Sequence, residues 1–197
     1  MRAVEQGPRL LVLDCSSTSK ASVSGCMGRT LEAALRERHT GLQTCRRSLA
    51  HAALPAIDPH EAMTPVAREL AAELAQSDLL LITAPVHNYT VPVGLKAWID
   101  HVVRPGVGFR HTPGGKMGLM RDRTTLIATS AGGSLFEERA MQPDFFRPYL
   151  AAVLRTIGIT QLHWIALERS AQRIDAAAEA ERLARSWVTS SWREVMA

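Results

Sequence analysis

The sequence predicts an α/β fold, in which a five-stranded parallel sheet carries helices on both faces. Short apolar runs alternate with longer amphipathic segments along the chain, as expected of βαβ units. The runs LLVLD (residues 10–14) and LLLITA (79–84) are typical of strands buried inside a parallel sheet. A length of 197 residues suits one domain with a sizeable core, so we expect a single domain over residues 1–197.

Local start and stop signals define the elements of the first half. Gly41 is a typical helix terminator, and Thr64 is a suitable N-cap with Pro65 at the first helical position. In chain order we expect strand 10–14, helix 24–40, strand 43–49, helix 65–76 and strand 79–84.

The second half continues the alternation. Trp98 falls on the apolar face of an amphipathic segment, which predicts a place in the core or at an interface. The Gly-rich segment 104–120 is predicted to be a loop. The remaining elements are helix 93–103, strand 124–129, helix 145–157, strand 161–166 and helix 176–195. Five strands in this length favour the order 2-1-3-4-5 of a flavodoxin-like three-layer sandwich.

Composition excludes several classes of protein. Lysine and arginine (23) only slightly outnumber aspartate and glutamate (19) and are scattered, so no nucleic-acid partner is expected. The three cysteines lack metal-ligand spacing, which favours a reduced cytoplasmic setting without a metal site. No signal peptide is recognisable and no apolar stretch approaches the ~20 residues of a membrane helix, so no membrane partner is expected.

Three unusual loops follow the first, third and fourth predicted strands, and ligands bind at that edge of such a sheet. SSTSKASVS (16–24) places hydroxyl groups ahead of a helix N-terminus, which suits a phosphate. APVHNYTVP (84–92) offers the amide of Asn88 and two aromatic rings to a heterocycle. SAGG (130–133) lets backbone N–H groups approach a flat ligand. Each could also be an ordinary cap or turn, but together they predict a mononucleotide site, with flavin as the natural candidate.

The motifs of other phosphate-binding and nucleophilic sites are missing from the sequence. The sequence contains no Walker-type P-loop, no G-x-G-x-x-G after the first strand and no G-x-S-x-G elbow. A low-molecular-weight phosphatase would need an arginine six residues after Cys15, where Ala21 stands. Cys15 is therefore predicted to be a small buried side chain. A receiver domain would need an aspartate where Ala84 and Pro85 stand.

The central block of the chain resembles the FMN-dependent NADH-azoreductase family. Residues 84–112, APVHNYTVPVGLKAWIDHVVRPGVGFRHT, follow that family's pattern of AP-M-Y-N-F, then LK-x-W/Y-x-D, then G-x-x-F-R-Y-T. The serine loop (residues 16–24) and the glycine pair (Gly132 and Gly133) also fall in matching places. The likeness therefore spans nearly the whole chain. The resemblance implies a flavodoxin-like homodimer with FMN sites at the dimer interface.

The resemblance also implies which residues contact FMN. They are Ser16, Ser22, Val23, Ser24, Pro85, Val86, His87, Asn88, Tyr89, Ser130, Ala131, Gly132 and Gly133. Val23, Val86 and Ala131 would act mainly through their backbone.

Several positions depart from the family pattern. Val86 and His87 replace Met-Tyr, His111 replaces the tyrosine of F-R-Y-T, and SRGG has become SAGG. Thr156 stands where relatives often carry an aromatic residue beside the neighbouring flavin. These changes predict a more open, less aromatic pocket and leave the preference for azo compounds in question.

The expected activity is a ping-pong, two-electron transfer from NADH or NADPH to a quinone or azo compound. His87 and His111 are candidate proton donors, although the alternative of surface histidines is favoured. Two rival functions stay open: a one-electron flavodoxin-like carrier, and a flavin-binding protein without turnover. The mildly basic composition weighs against the carrier, since such carriers are typically acidic.

Overall fold

The computed structural model describes residues 7–16, 22–51, 53–57, 63–140 and 142–195, with side chains as far as residue 191. Residues 17–21 of the serine loop lie outside this part of the chain. The strands are β1 (Arg9–Asp14), β2 (Gln43–Ser48), β3 (Leu79–Pro85), β4 (Phe109–Thr112), β5 (Gly115–Gly118), β6 (Thr125–Ser130) and β7 (Leu162–Leu167). The helices are α1 (Val23–Arg38), α2 (Pro65–Ala75), α3 (Val93–Val102), α4 (Phe146–Ile157) and α5 (Ala176–Val195).

Five strands form one parallel sheet in the order β2-β1-β3-β6-β7. Because β6 and β7 are the fourth and fifth strands of this sheet, the predicted order 2-1-3-4-5 is confirmed. All ten predicted elements are present, with small differences at their ends. The Thr64 cap is confirmed as well, since its hydroxyl accepts a hydrogen bond from the Ala67 N–H at 3.0 Å.

The helices cover both faces of the sheet and enclose two apolar cores. On one face, Leu31 of α1 and Ala184 of α5 pack with the sheet. On the other, Leu70 of α2, Trp98 of α3 and Leu150 of α4 do the same. Trp98 is fully buried, which assigns it to the core. None of the described helices combines the length and the hydropathy needed to cross a bilayer.

The prediction of a loop over 104–120 is wrong in part, because this segment contains an antiparallel hairpin. Phe109 pairs with Gly118 and Thr112 with Gly115 around a two-residue turn. The hairpin lies close to the end of α4: a Cβ atom at Gly118 would sit 2.3 Å from the backbone nitrogen of Gly158. Glycine is therefore required at Gly118 by backbone contact, whereas the sequence pattern indicated only a Gly-rich loop.

Candidate functional site

The three predicted loops meet at the carboxyl edge of the sheet. The Val86 N–H donates to the Ser130 carbonyl at 2.7 Å, which ties the loop after β3 to the loop after β6. The Cys15 N–H donates to the Thr83 carbonyl at 2.8 Å, which ties the end of β1 to β3. The convergence expected from the strand order is therefore present, and two cavities open between the loops.

The first cavity has a volume of about 440 Å³, within the usual range for small-molecule sites. It is bounded by the N-terminus of α1, the ends of β3 and β6, and the loop after β2. The residues that line it are Cys15, Ser22, Val23, Ser24, Leu49, Ala50, His51, Pro85, His87, Pro92, Val93, Gly94 and Ser130. Six of the predicted contact residues are among these lining residues.

Ser24 gives the clearest indication of the kind of ligand that this cavity suits. It is only 1% exposed, and its Oγ has no hydrogen-bond partner among the described residues. Its neighbour Ser22 is the N-cap of α1, with its hydroxyl accepting from the Gly25 N–H at 3.4 Å. A helix N-terminus presents unpaired N–H groups and a favourable dipole, and a buried unpaired hydroxyl is costly. This end of the cavity therefore suits an anion that accepts hydrogen bonds.

The second cavity, of about 220 Å³, lies against the loops after β3 and β6. The residues that line it are Val86, Asn88, Tyr89, Ala131, Gly132, Gly133, Leu135 and Gln142. Every predicted contact residue except Ser16 thus borders one of the two cavities. Within the described ranges, the N–H groups of Gly132 and Gly133 have no acceptor, so they are free to bind a ligand.

The loop after β3 contains a tight turn in a strained conformation. His87 and Thr90 exchange two backbone hydrogen bonds of 2.9 Å, and the two residues between them, Asn88 and Tyr89, have φ values of 45° and 68°. Positive φ at both central positions is the type I′ pattern, which favours glycine and asparagine. A tyrosine in this conformation costs free energy, and such strain is concentrated at functional sites.

We expect Tyr89→Gly to be more stable than Tyr89→Ala by about 1 kcal/mol, because only glycine avoids the cost of the left-handed conformation. Both substitutions remove the ring, so the comparison isolates the backbone. Chemical denaturation of the two apoproteins measures the difference. Equal stabilities would mean that the turn does not hold Tyr89 at positive φ in solution.

Ser16 borders neither cavity and is bound to Asp14. Both the N–H (3.0 Å) and the hydroxyl of Ser16 donate to Asp14 Oδ1, and the Thr83 hydroxyl donates to the same oxygen at 2.8 Å. Arg46 pairs with the other oxygen at 2.9 Å. Burial alone would raise the pKa of Asp14, but these hydrogen bonds and the arginine outweigh it and hold the pKa below its usual value. Asp14 is therefore ionised at neutral pH and fixes the start of the serine loop.

Cys15 is buried, at 5% exposed, as predicted. Burial, reinforced by the negative charge of Asp14, raises the pKa of its thiol far above the ordinary value. The thiol is therefore protonated at neutral pH and unsuited to nucleophilic attack.

The two candidate proton donors lie in different places. His87 is exposed and borders the first cavity. His111 is exposed on β4, packs edge-on against Phe109 at 5.4 Å and borders neither cavity. Of the two aromatic residues at the start of α4, Phe146 is fully buried, whereas Phe145 is 58% exposed.

Sequence reasoning missed the loop after β2. Leu49, Ala50 and His51 line the first cavity, and the Leu49 carbonyl would lie 1.9 Å from a Cβ atom at Gly94. A signal was available, because the order 2-1-3 puts the end of the second strand beside the first. Thr156 lies on α4 with its hydroxyl bonded to the Ala152 carbonyl, and it borders neither cavity.

A family model described as having a flavodoxin-like fold matches residues 8–190. The chain belongs to this flavodoxin-like family. FMN-dependent NADH:quinone oxidoreductase 2 of Cupriavidus pinatubonensis is 37% identical over 200 residues, covering 93% of this chain and 97% of that protein. FMN-dependent NADH:quinone oxidoreductase 5 of Burkholderia lata is 39% identical over 185 residues, covering 88% of this chain and 90% of that protein.

Solved structures share the architecture of this flavodoxin-like chain. The FMN-dependent NADH-azoreductase of Bacillus anthracis, solved in complex with FMN, superposes with a TM-score of 0.74 at 19% identity. The match covers 91% of this chain and 98% of that one. At this identity the likeness concerns the fold alone, while the sequence relatives carry the functional comparison.

Proposed function

We propose that this protein is an FMN-dependent NAD(P)H oxidoreductase that reduces quinones, azo compounds or both by a ping-pong two-electron cycle. The observation that carries the proposal is the buried, unpartnered hydroxyl of Ser24, a residue that lines the cavity of about 440 Å³ at the N-terminus of α1. A phosphate group would satisfy that hydroxyl. The names of relatives at 37% and 39% identity, both FMN-dependent NADH:quinone oxidoreductases, support the same cofactor and donor.

In this proposal, bound FMN supplies the two-electron redox chemistry. The N-terminus of α1, with Ser22 and Ser24, holds the phosphate. The amide of Asn88, held by the tight turn beside the second cavity, would bind the polar edge of the ring. The N–H of Gly132, which lines the second cavity, would be available to a ring bound there and would favour its reduced, more negative state electrostatically. No side chain of the chain is required as a nucleophile.

A homodimer is part of the proposal, because the resemblance of residues 84–112 to the azoreductase family implies one. Val93, at the edge of the first cavity, is 86% exposed, and Phe145 at the start of α4 is 58% exposed. Exposed apolar side chains mark an interface where they belong to a contiguous patch, so Val93 is the position at which we test the subunit contact. Sedimentation velocity should give a dimer, and Val93→Asp should shift it toward monomer if this surface is the contact.

The deciding experiment is an anaerobic absorbance spectrum of the protein reconstituted with FMN, before and after adding NADH. The proposal expects the bound-flavin band to bleach with NADH and to return when benzoquinone is added. If FMN binds and NADH leaves the band unchanged, a one-electron carrier or a non-catalytic flavin-binding protein replaces the reductase. If FMN does not bind, the assignment of all three loops fails. NADPH in a parallel run gives the donor preference.

A further inference from the structure

We propose that Ser170, in the segment after β7, is a positioning residue that aims the Gly132 N–H into the ligand cavity, and that Glu168 holds the same loop from its far end. This inference rests on the proposed FMN site. Both residues lie outside the three loops and border neither cavity. Their contacts are with the backbone of the loop after β6.

The carbonyl of Ala131 is bound twice by Ser170. Both the N–H and the Oγ of Ser170 donate to it, each at 3.0 Å. The preceding N–H, that of Ala131, donates to the Leu167 carbonyl at 3.0 Å. Two donors on one acceptor fix the direction of the Ala131 carbonyl, and with it the plane of the peptide that joins Ala131 to Gly132.

A trans peptide is planar, so its N–H points opposite to its C=O. Because the Ala131 carbonyl points toward Ser170, the Gly132 N–H points away from it. Gly132 borders the second cavity together with Asn88, and its N–H has no acceptor within the described part of the chain. The Ser170 hydroxyl, together with the Ser170 N–H, thus fixes the direction of an unpaired donor beside the cavity.

Glu168 fixes the loop a few residues later. Its Oε1 accepts hydrogen bonds from the N–H groups of Leu135 and Phe136. Next to it, the Arg169 N–H donates to the Gly133 carbonyl at 2.9 Å. The segment 168–170 therefore clamps the loop on both sides of the glycine pair. A donor fixed before the ligand arrives needs no reorganisation when charge develops, which is the condition for strong electrostatic stabilisation.

The test compares the two-electron midpoint potential of bound FMN in the wild type, Ser170→Ala, Ser170→Thr and a control, Ser190→Ala. Ser190 lies on α5, and its hydroxyl also donates to a backbone carbonyl, that of Ser186, at 3.0 Å. Ser170→Ala keeps the backbone N–H bond and loses only the hydroxyl. We expect it to bind reduced FMN about five-fold more weakly relative to oxidised FMN, a lowering of about 20 mV at about 30 mV per tenfold.

Ser170→Thr retains a hydroxyl and should restore the wild-type potential, and Ser190→Ala should leave it unchanged. Glu168→Ala should lower the potential as well, whereas Glu168→Gln, which keeps an acceptor oxygen, should lower it less. A melting temperature that falls in Ser170→Ala with no change in potential would mean a merely structural role and overturn the inference. The same holds if Ser170→Ala and Ser190→Ala have equal potentials, in which case the proposed function is unaffected. Failure of the wild type to bind FMN would overturn both.

Discussion

Replacing Ser24 by alanine should weaken FMN binding by about ten- to a hundred-fold while leaving the apoprotein at least as stable as the wild type. A hydrogen bond to a charged group is worth about 1.5–3 kcal/mol, and about 1.4 kcal/mol corresponds to tenfold in affinity. In the apoprotein Ser24 is 1% exposed and its hydroxyl has no partner among the described residues, so removal of the hydroxyl costs nothing there. Isothermal titration and thermal denaturation measure the two effects.

Riboflavin is the matched ligand control, because it lacks the phosphate. Its affinity should be the same for the wild type and Ser24→Ala. Ser22→Ala is the matched variant: it also loses the cap bond to the Gly25 N–H, so it should lower both FMN affinity and apoprotein stability. If Ser24→Ala weakens riboflavin as much as FMN, or destabilises the apoprotein, then Ser24 supports the fold and does not contact a phosphate.

The architecture was predictable because its signals are local. The apolar runs of β1 and β3 are buried on both faces of the sheet, and the Thr64-Pro65 start of α2 is set by backbone chemistry within one turn. The strand order then follows from general rules of chain connection. The same order predicted that the three loops would meet, and they do.

What the sequence did not predict depends on contacts between distant residues. The hairpin of β4 and β5 is made of short, mostly exposed segments, and of its glycines Gly118 is the one that packs against Gly158. The hydrogen bonds from Ser170 to the Ala131 carbonyl join residues 39 positions apart, and no local sequence signal predicts them. The tyrosine at positive φ contradicts local preference, so a pattern-based reading could not place Tyr89 in a tight turn.

Asp14 shows how one partly buried carboxylate can hold three strands at the edge where the site opens. It ends β1, accepts from Thr83 of β3 and pairs with Arg46 of β2. It also receives both donors of Ser16, at the start of the serine loop. While Asp14 is ionised, the hydroxyl proton of Ser16 is committed to it. The Ser16 oxygen is then left as an acceptor, and the donors for a phosphate come from Ser22, Ser24 and the helix N-terminus.

Asp14→Ala should therefore destabilise the protein by about 2–4 kcal/mol, because the nearly buried hydroxyls of Ser16 and Thr83 would lose their acceptor. Asp14→Asn should cost less, since its amide oxygen can still accept from both. Chemical denaturation at neutral pH measures the two losses. Thr83→Val is a companion variant that removes one hydroxyl of the network without touching the carboxylate. A loss below about 0.5 kcal/mol for Asp14→Ala, typical of surface substitutions, would exclude this role.

The pH dependence of stability follows from the direction in which folding shifts the pKa of Asp14. Because the pKa of Asp14 is lowered in the folded state, its contribution is fully present above the unfolded-state pKa of about 3.9 and is lost as the pH falls through the lower folded value. Asp78 and Asp122 have lowered pKa values too, so wild type and Asp14→Asn should both lose stability in acid. The wild type should lose more, and the gap between the two should close below about pH 4. If the free energies of unfolding of the two proteins fell in parallel with pH, the acid sensitivity would come from the other carboxylates. The position of the serine loop would then depend on hydrogen bonds that do not require the charge on Asp14.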